Sequence, residues 1–459
     1  MTAPAPTAAK LVSGSIPRHL VNQTLPAIIG VAAIMSIGIV DAYFIGQLGS
    51  EPLAAISFIF PVSVASTSLG VGVMVGINSV VARALGEGDQ EKAARRANFG
   101  IVFAVLCGAV MGLALWLAID VIFTAMNAPA HLMPLIRAYM TPYAMGFPLS
   151  LTIMGFNGVL RGQGEAKRTS TVSIAYAAAN WVLNPILITG AFGFDGFGIA
   201  GSAYATAIGW AIGVLTAIML LRGTSLPLNL GLLRHCSLID PAKAIIRVGL
   251  PAAFSNAINP LGLSILTALV ALEGEAAVAG FGAAGRLQSF VIVPLLALSG
   301  AIGGIVGQNW GGREYGRARE AALYAAGFCV AWGLIVAIAM MAAGESFARV
   351  FTDDPQVIAE FARYLEIAAW GYAGFGLLIV GNGIMNAVDK AGYALGQSIV
   401  RVFLVMLPVA LVLQPSMGSA AIYTAELAAN LFGAVSAVVL VRYVLTRRRP
   451  DQGISIPQR

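Results

Sequence analysis

Apolar residues run through this chain in stretches far longer than the four to eight residues of a buried strand. Residues 27–46, AIIGVAAIMSIGIVDAYFIG, form one such stretch and carry a single charge, Asp41. A helix crossing a membrane needs about 20 apolar residues. Twelve candidates follow one another: 20–46, 53–80, 97–124, 134–160, 169–190, 198–221, 243–272, 277–306, 321–344, 361–386, 393–414 and 418–444. They are numbered here as spans 1 to 12. Barrel strands would show roughly ten-residue segments of alternating polarity instead. The pattern therefore predicts an all-α membrane protein, with tight turns such as GQLGSEP between neighbouring spans.

Shifted by 225 residues, the chain overlays itself. Leu25-Pro26 falls on Leu250-Pro251, Gly49 on Gly274, Ala54 on Ala279, Gly86 on Gly311 and Asn157-Gly158 on Asn382-Gly383. Further on the register slips slightly, with Asn184-Pro185 near Leu407-Pro408 and Gly198 near Gly418. Each half has an even number of spans, so both share one orientation, as parallel repeats about an axis along the membrane normal. The expected division is an N-terminal lobe over 1–221, a linker over 222–242, a C-terminal lobe over 243–444 and a basic tail over 445–459. GxxxG spacings at Gly72/Gly76, Gly300/Gly304 and Gly303/Gly307 suit close helix packing, with helix bending between transport states as a compatible use.

Charge sets the orientation. Of 459 residues 58% are hydrophobic and only 10% charged, against about 25% charged in soluble domains. With the N-terminus inside, one side collects Arg83, Lys92, Arg95, Arg96, Arg161, Lys167, Arg168, Arg222, Arg234, Lys243, Arg247, Arg313, Arg317, Arg319, Lys390, Arg401 and the basic tail. The other side holds only Arg137, Arg349 and Arg363, and Arg286 falls well within span 8. This asymmetry predicts both termini in the cytoplasm of a multi-pass inner-membrane protein. The tail RYVLTRRRP reads as an anchor for the inner leaflet's lipids. The net charge of +6 is spread through short loops and gives no nucleic-acid surface. No cleavable signal precedes span 1, which is expected to direct insertion itself.

Enzyme chemistry finds little support. GxxxxGK[ST] and HExxH are missing, and Cys107, Cys236 and Cys329 form no CxxC. His19, His131 and His235 lie scattered in loops. Asp353-Asp354 precedes a proline, where a helix cap belongs. What remains is polarity inside spans. An acid in a span is costly, by about 2.5–3.5 kcal/mol on insertion scales, and is a functional hypothesis by default. Asn180 and Asn184 are four residues apart on one face of span 5, and Pro185 then removes a backbone donor from the Trp181 carbonyl. Such an oxygen-rich patch suits a hard cation such as sodium. Asp41, Asn184 and Thr206 fall within about 5 Å of one level, counted from the outer ends of spans 1, 5 and 6. Asp41 could then hold a proton or a sodium ion, one at a time; the asparagines could equally be interhelical glue. The mate of Asp41 in the other half is Leu266, so the polar group exists in one half only. There, Glu426 and Arg286 lie at similar depth, which allows either an ion pair or a second site. Glu366, near the outer start of span 10, could line a vestibule.

Several stretches together resemble the multidrug and toxic compound extrusion (MATE) family: LPAIIGVAAIMSIGIVDAYFIGQLG, ARALGEGDQEKAARRA, NGVLRGQGEAKR, NWVLNPILITG and GIAGSAYAT, with the echoes GQNWGGREYGRARE and GNGIMNA. The resemblance covers nearly the whole chain. It implies a V-shaped molecule of two six-helix lobes around a central cavity, and antiport in which inward proton or sodium flow drives substrate out. The family's acid in span 1 matches Asp41 and its polar pair in span 5 matches Asn180 and Asn184. Many members carry Asp where this chain has Asn184, and some carry acids in spans 7 and 10 that this chain lacks. Coupling is then expected mainly in the N-terminal lobe, in a monomer without cofactor. The expected cargo is a drug-like, amphipathic organic cation held by aromatic and Met side chains. A flippase for a lipid-linked precursor is the alternative; a membrane-embedded prenyl- or acyl-transfer enzyme would have only Asp353-Asp354 to work with.

Overall fold

The computed structural model describes residues 9–190, 195–234 and 238–446. They form α1 (Ile16–Gly46), α2 (Ser50–Gly86), α3 (Gln90–Ala125), α4 (Met133–Gly162), α5 (Ala166–Asn184), α6 (Ile199–Leu221), α7 (Ile239–Val270), α8 (Glu275–Val291), α9 (Val293–Gly311), α10 (Tyr315–Phe351), α11 (Pro355–Ala368), α12 (Tyr372–Ala387), α13 (Ala391–Ile399), α14 (Leu407–Met417) and α15 (Ser419–Thr446). Among the described residues, eleven helical stretches are long and apolar enough to cross a membrane. The bent pair α8 and α9, at 41°, completes a twelfth. Among the described residues there is no strand. Lipid offers no hydrogen-bond partners, so a spanning backbone must satisfy itself, and a helix does so within one segment.

Repetition is visible atom by atom. On Gly158 of α4 a Cβ would sit 2.7 Å from the Met74 carbonyl oxygen and 2.9 Å from Ile77. On Gly383 of α12 it would sit 2.7 Å from the Ser299 carbonyl oxygen and 3.1 Å from Ile302. Every residue in the second set is the first shifted by 225. Both halves also widen one helix into a π-turn near a proline, at Pro185–Thr189 and at Val400–Met406. Proline denies its turn the regular donor, and a wider turn accommodates it.

The halves meet near the end that carries the chain termini. Gly72 and Gly76 of α2 lie against Gly249, Ala253 and Ile245 of α7, the close approach that the GxxxG spacing predicts. Gly86 abuts the Gln308 carbonyl, and Gly311 abuts the Arg83 carbonyl. Farther out, toward the 46–50 and 270–275 turns, a cleft of about 400 Å³ separates α2 from α7. Phe60, Ser63, Val64, Thr67, Ser68 and Val71 line it on one side, Asn256 and Pro260 on the other. The lobes thus form a V that is closed at the terminus-bearing end.

An arm ahead of α1 stitches this closed end. Lys10 Nζ donates to Glu165 Oε1 at 2.5 Å in the first half. The Leu11 amide donates to Gln308 Oε1 at 3.0 Å, and Asn309 Nδ2 donates to the Leu11 carbonyl at 3.0 Å in the second. Gln308 is fully buried and its Nε2 also donates to the Gly162 carbonyl at 2.8 Å. Gln308→Leu would strand that amide and that carbonyl, each an unmet group worth about 1–3 kcal/mol. Expected is a drop of several degrees in the melting temperature of purified protein, larger than for Gln308→Glu, which can still accept from Leu11.

Some expectations shift. Asp354 caps α11, accepting from the Gln356 amide at 2.8 Å, as its position before a proline suggests. Span 10 begins at Pro355 rather than 361, because α11 and α12 run on through one 3-10 turn. Arg401 is not at an inner helix end: it is 5% exposed, deep in span 11. Cys236, His235 and the tail arginines 447–449 and 459 lie outside the described residues.

Candidate functional site

Three helices build the polar centre of the first half. α1 and α5 pack closely: Gly30 lies against Ser170, whose hydroxyl donates to the Pro26 carbonyl at 2.6 Å. Trp181 Nε1 on α5 donates to Ser36 Oγ on α1 at 3.1 Å. These contacts set the register that brings Asp41 of α1 level with the last turn of α5.

A continuous chain of hydrogen bonds runs through the centre. Asn184 Nδ2 donates to the Asp41 carboxylate and to Asn180 Oδ1, the latter at 3.0 Å. Asn180 Nδ2 donates to Thr206 Oγ1 on α6 at 3.1 Å. Asn180 and Asn184 are 1% and 0% exposed, while Asp41 and Thr206 are half-buried. All four residues that the sequence singles out by depth and helical face therefore meet.

Two further oxygens in this centre lack partners. Asn184 Oδ1 is buried and accepts nothing. Ser202 Oγ, fully buried on α6, lies beside the Asp41 carboxylate and Tyr139 without closing a hydrogen bond to either. Buried polar atoms are rarely left unmet. Here they belong to residues beside a carboxylate, so carboxylate, amide and hydroxyl oxygens occur together, a donor set suited to a hard cation. A proton would serve equally: a neutral Asp41 becomes a donor and can turn the Asn184 amide over. Ser202 and Tyr139 escape a reading based on charge. Ser202 lies one turn before Thr206, and that four-residue spacing is the signal that identifies it. Among the described residues no three His, Cys, Asp or Glu side chains form a metal cluster.

In the second half, Glu426 and Arg286 do not pair. Glu426 Oε1 accepts from Gln288 Nε2 at 2.9 Å and Oε2 from the Tyr364 hydroxyl at 3.1 Å. Glu426 is buried, whereas Arg286 is exposed. Residues two apart on a helix point about 200° apart, so with Gln288 facing Glu426, Arg286 must face away. Equal depth alone cannot make a contact. Glu366 is likewise exposed.

Comparison with known proteins agrees with this geometry. The MatE family model matches residues 26–186 and again 251–412, two matches that begin 225 residues apart. The chain is 30% identical over 405 residues to the FAD transporter of Shewanella oneidensis, covering 87% of this chain and 88% of that one. It is 27% identical over 424 residues to the probable multidrug resistance protein NorM of Deinococcus radiodurans, covering 91% and 92%. Among solved structures, the MATE transporter VcmN of Vibrio cholerae in its bent form superposes with a TM-score of 0.87 at 25% identity, over 96% of this chain and 98% of that one. The chain belongs to the multidrug and toxic compound extrusion family, as a multi-pass membrane transporter rather than an enzyme.

Proposed function

We propose that this protein is an antiporter that exports amphipathic organic molecules, driven by proton or sodium entry at Asp41, Asn180, Asn184 and Thr206. The supporting observation is the hydrogen-bond chain from Asp41 through Asn184 and Asn180 to Thr206, with the unmet oxygens of Asn184 and Ser202 beside it. Ionised, Asp41 holds the Asn184 amide. Neutralised by a proton or shared with a sodium ion, it releases that amide, which then loses its grip on Asn180 and through it on α6. Rearrangement of α1, α5 and α6 favours cargo release outward. The lobes then rock about the seam between α2, α7 and α9.

The membrane orientation follows the charge asymmetry, with both termini cytoplasmic in the inner membrane. The divisions at 221, 242 and 444 mark the lobes and tail of a monomer. The cleft wall is made of apolar and neutral polar side chains without an acid, so it suits amphipathic bodies and does not by itself select organic cations. The FAD transporter relative supports a cargo range that includes aromatic anions.

The test is dye efflux from proteoliposomes under a proton gradient and a sodium gradient applied separately. One gradient drives efflux and the other does not. Asn184→Leu raises the half-saturating concentration of the effective ion roughly tenfold, the effect of losing one hydrogen bond to a charged group. Efflux indifferent to both gradients overturns the coupling.

A further inference from the structure

The second half holds a buried cation that coupling at Asp41 does not use. Arg401 sits on the π-turn of span 11, about 15 Å from the inner end of that span. Its Nη1 donates to Asn259 Oδ1 of α7 at 2.6 Å and its Nη2 to Asn430 Oδ1 of α15 at 3.1 Å. The guanidinium carbon lies 5.4 Å from the centre of the Phe375 ring on α12. Both hydrogen-bond partners are neutral amides. Among the described residues no carboxylate comes within ion-pair distance of Arg401. Glu426, one turn before Asn430, is the counter-charge that acts on it, but Gln288 and Tyr364 hold both of its oxygens.

Two donors here have no acceptor: Arg401 Nε and Asn430 Nδ2, both buried. A guanidinium out of water is costly without an anion to meet it. An unmet buried donor is a cost in its own right. One acceptor-rich group reaching these donors would answer both. Its location agrees. Transporter sites lie near the bilayer midplane, and π-turns recur at functional sites. Asn259 is half-buried and stands one turn from Asn256, which lines the cleft between the lobes.

We infer that Arg401, with Asn259 and Asn430, receives the carboxylate or phosphate of an organic anion from the cleft, so that the exported cargo includes amphipathic molecules bearing such a group. This rests on the export reading above and adds the charge class of the cargo. Phe375, its ring centre 5.4 Å from the guanidinium carbon, adds an aromatic surface beside the anion. Arg401 is a recognition residue here, distinct from the coupling acid.

Flavin mononucleotide and its uncharged parent riboflavin differ by one phosphate and make a matched pair, with cationic ethidium as a third probe. Export of each from proteoliposomes is compared for wild type, Arg401→Gln and Arg401→Lys. Expected is a wild-type preference for the phosphate-bearing flavin. Arg401→Gln reduces its export roughly tenfold or more, with riboflavin and ethidium changed by less than about twofold. Arg401→Lys keeps part of the preference, since lysine retains charge but not the planar fork. On wild type, inorganic phosphate slows export of the phosphate-bearing flavin and not that of riboflavin, which holds the test open should Arg401→Gln fail to fold. Equal loss for both flavins, no loss for either, or no wild-type preference overturns the inference. Failure of the coupling reading looks different: efflux becomes indifferent to ion gradients while the ratio between the two flavins stays intact.

Discussion

Replacing Asp41 by Asn cuts gradient-driven efflux severely while leaving the protein folded and able to bind cargo. The substitution keeps size and shape. Asn can accept from the Asn184 amide just as the carboxylate does, so α1 and α5 stay joined. What it removes is the charge, and with it any means of trading one neutralising partner for another. Ion-driven export of dye from proteoliposomes falls roughly tenfold or more, the consequence of losing a charge-assisted interaction with the coupling ion. Cargo binding, measured by fluorescence in detergent, changes little. Thermal stability holds or rises, because a carboxylate no longer has to be kept in a span. A merely structural acid predicts the reverse, with lower melting temperature and unchanged coupling. Gradient-driven export at the wild-type rate in Asp41→Asn would remove the proposed site altogether.

The four residues of that site were legible because helices in lipid obey two simple counts. Spacing by four places Asn180 and Asn184 on one face, and distance from the span ends places Asp41, Asn184 and Thr206 at one depth. Both counts survive in the structure because α1, α5 and α6 pack directly on one another in the first half. The same depth count failed for Arg286 and Glu426. It fixes height and says nothing about which way a side chain faces, and Gln288 takes the face toward Glu426. Arg401 was hidden for another reason. Ten residues from the start of α13, it reads as one more basic residue at an inner helix end, since long cationic side chains commonly reach outward to the interface. Only the amides of α7 and α15 and the π-turn show that it points into the lobe. The repeat was legible because it is written in backbone contacts as well as in sequence. Where glycine admits a carbonyl in one half, glycine admits the equivalent carbonyl in the other.

That repetition makes the second large effect predictable in a paired form. Gly86 at the end of α2 faces the Gln308 carbonyl, and Gly311 at the end of α9 faces the Arg83 carbonyl. Positions 86 and 311 are equivalent, as are 83 and 308, so the two glycines contact one crossing from opposite sides. Neither requires glycine for its backbone angles, since neither is among the positive-φ residues. A methyl group at either position meets main chain, which cannot rotate away as a side chain can. Overpacking of this sort costs about 1–3 kcal/mol. The strain exists only while the terminus-bearing end is closed, so it acts on the balance between transport states. At 1.4 kcal/mol per decade, Gly86→Ala shifts that balance away from the outward-open V by roughly tenfold. Gly311→Ala shifts it by a comparable amount, because it widens the same crossing. The measurement is labelling of a cysteine placed at Thr67 in the cleft, in a background where Cys107, Cys236 and Cys329 are serine. Labelling by a water-soluble maleimide slows in both glycine variants, and by similar factors. Slowing in one variant but not the other would mean that the crossing does not act as a shared pivot. The pseudo-symmetry would then describe the architecture of the halves without governing how they move.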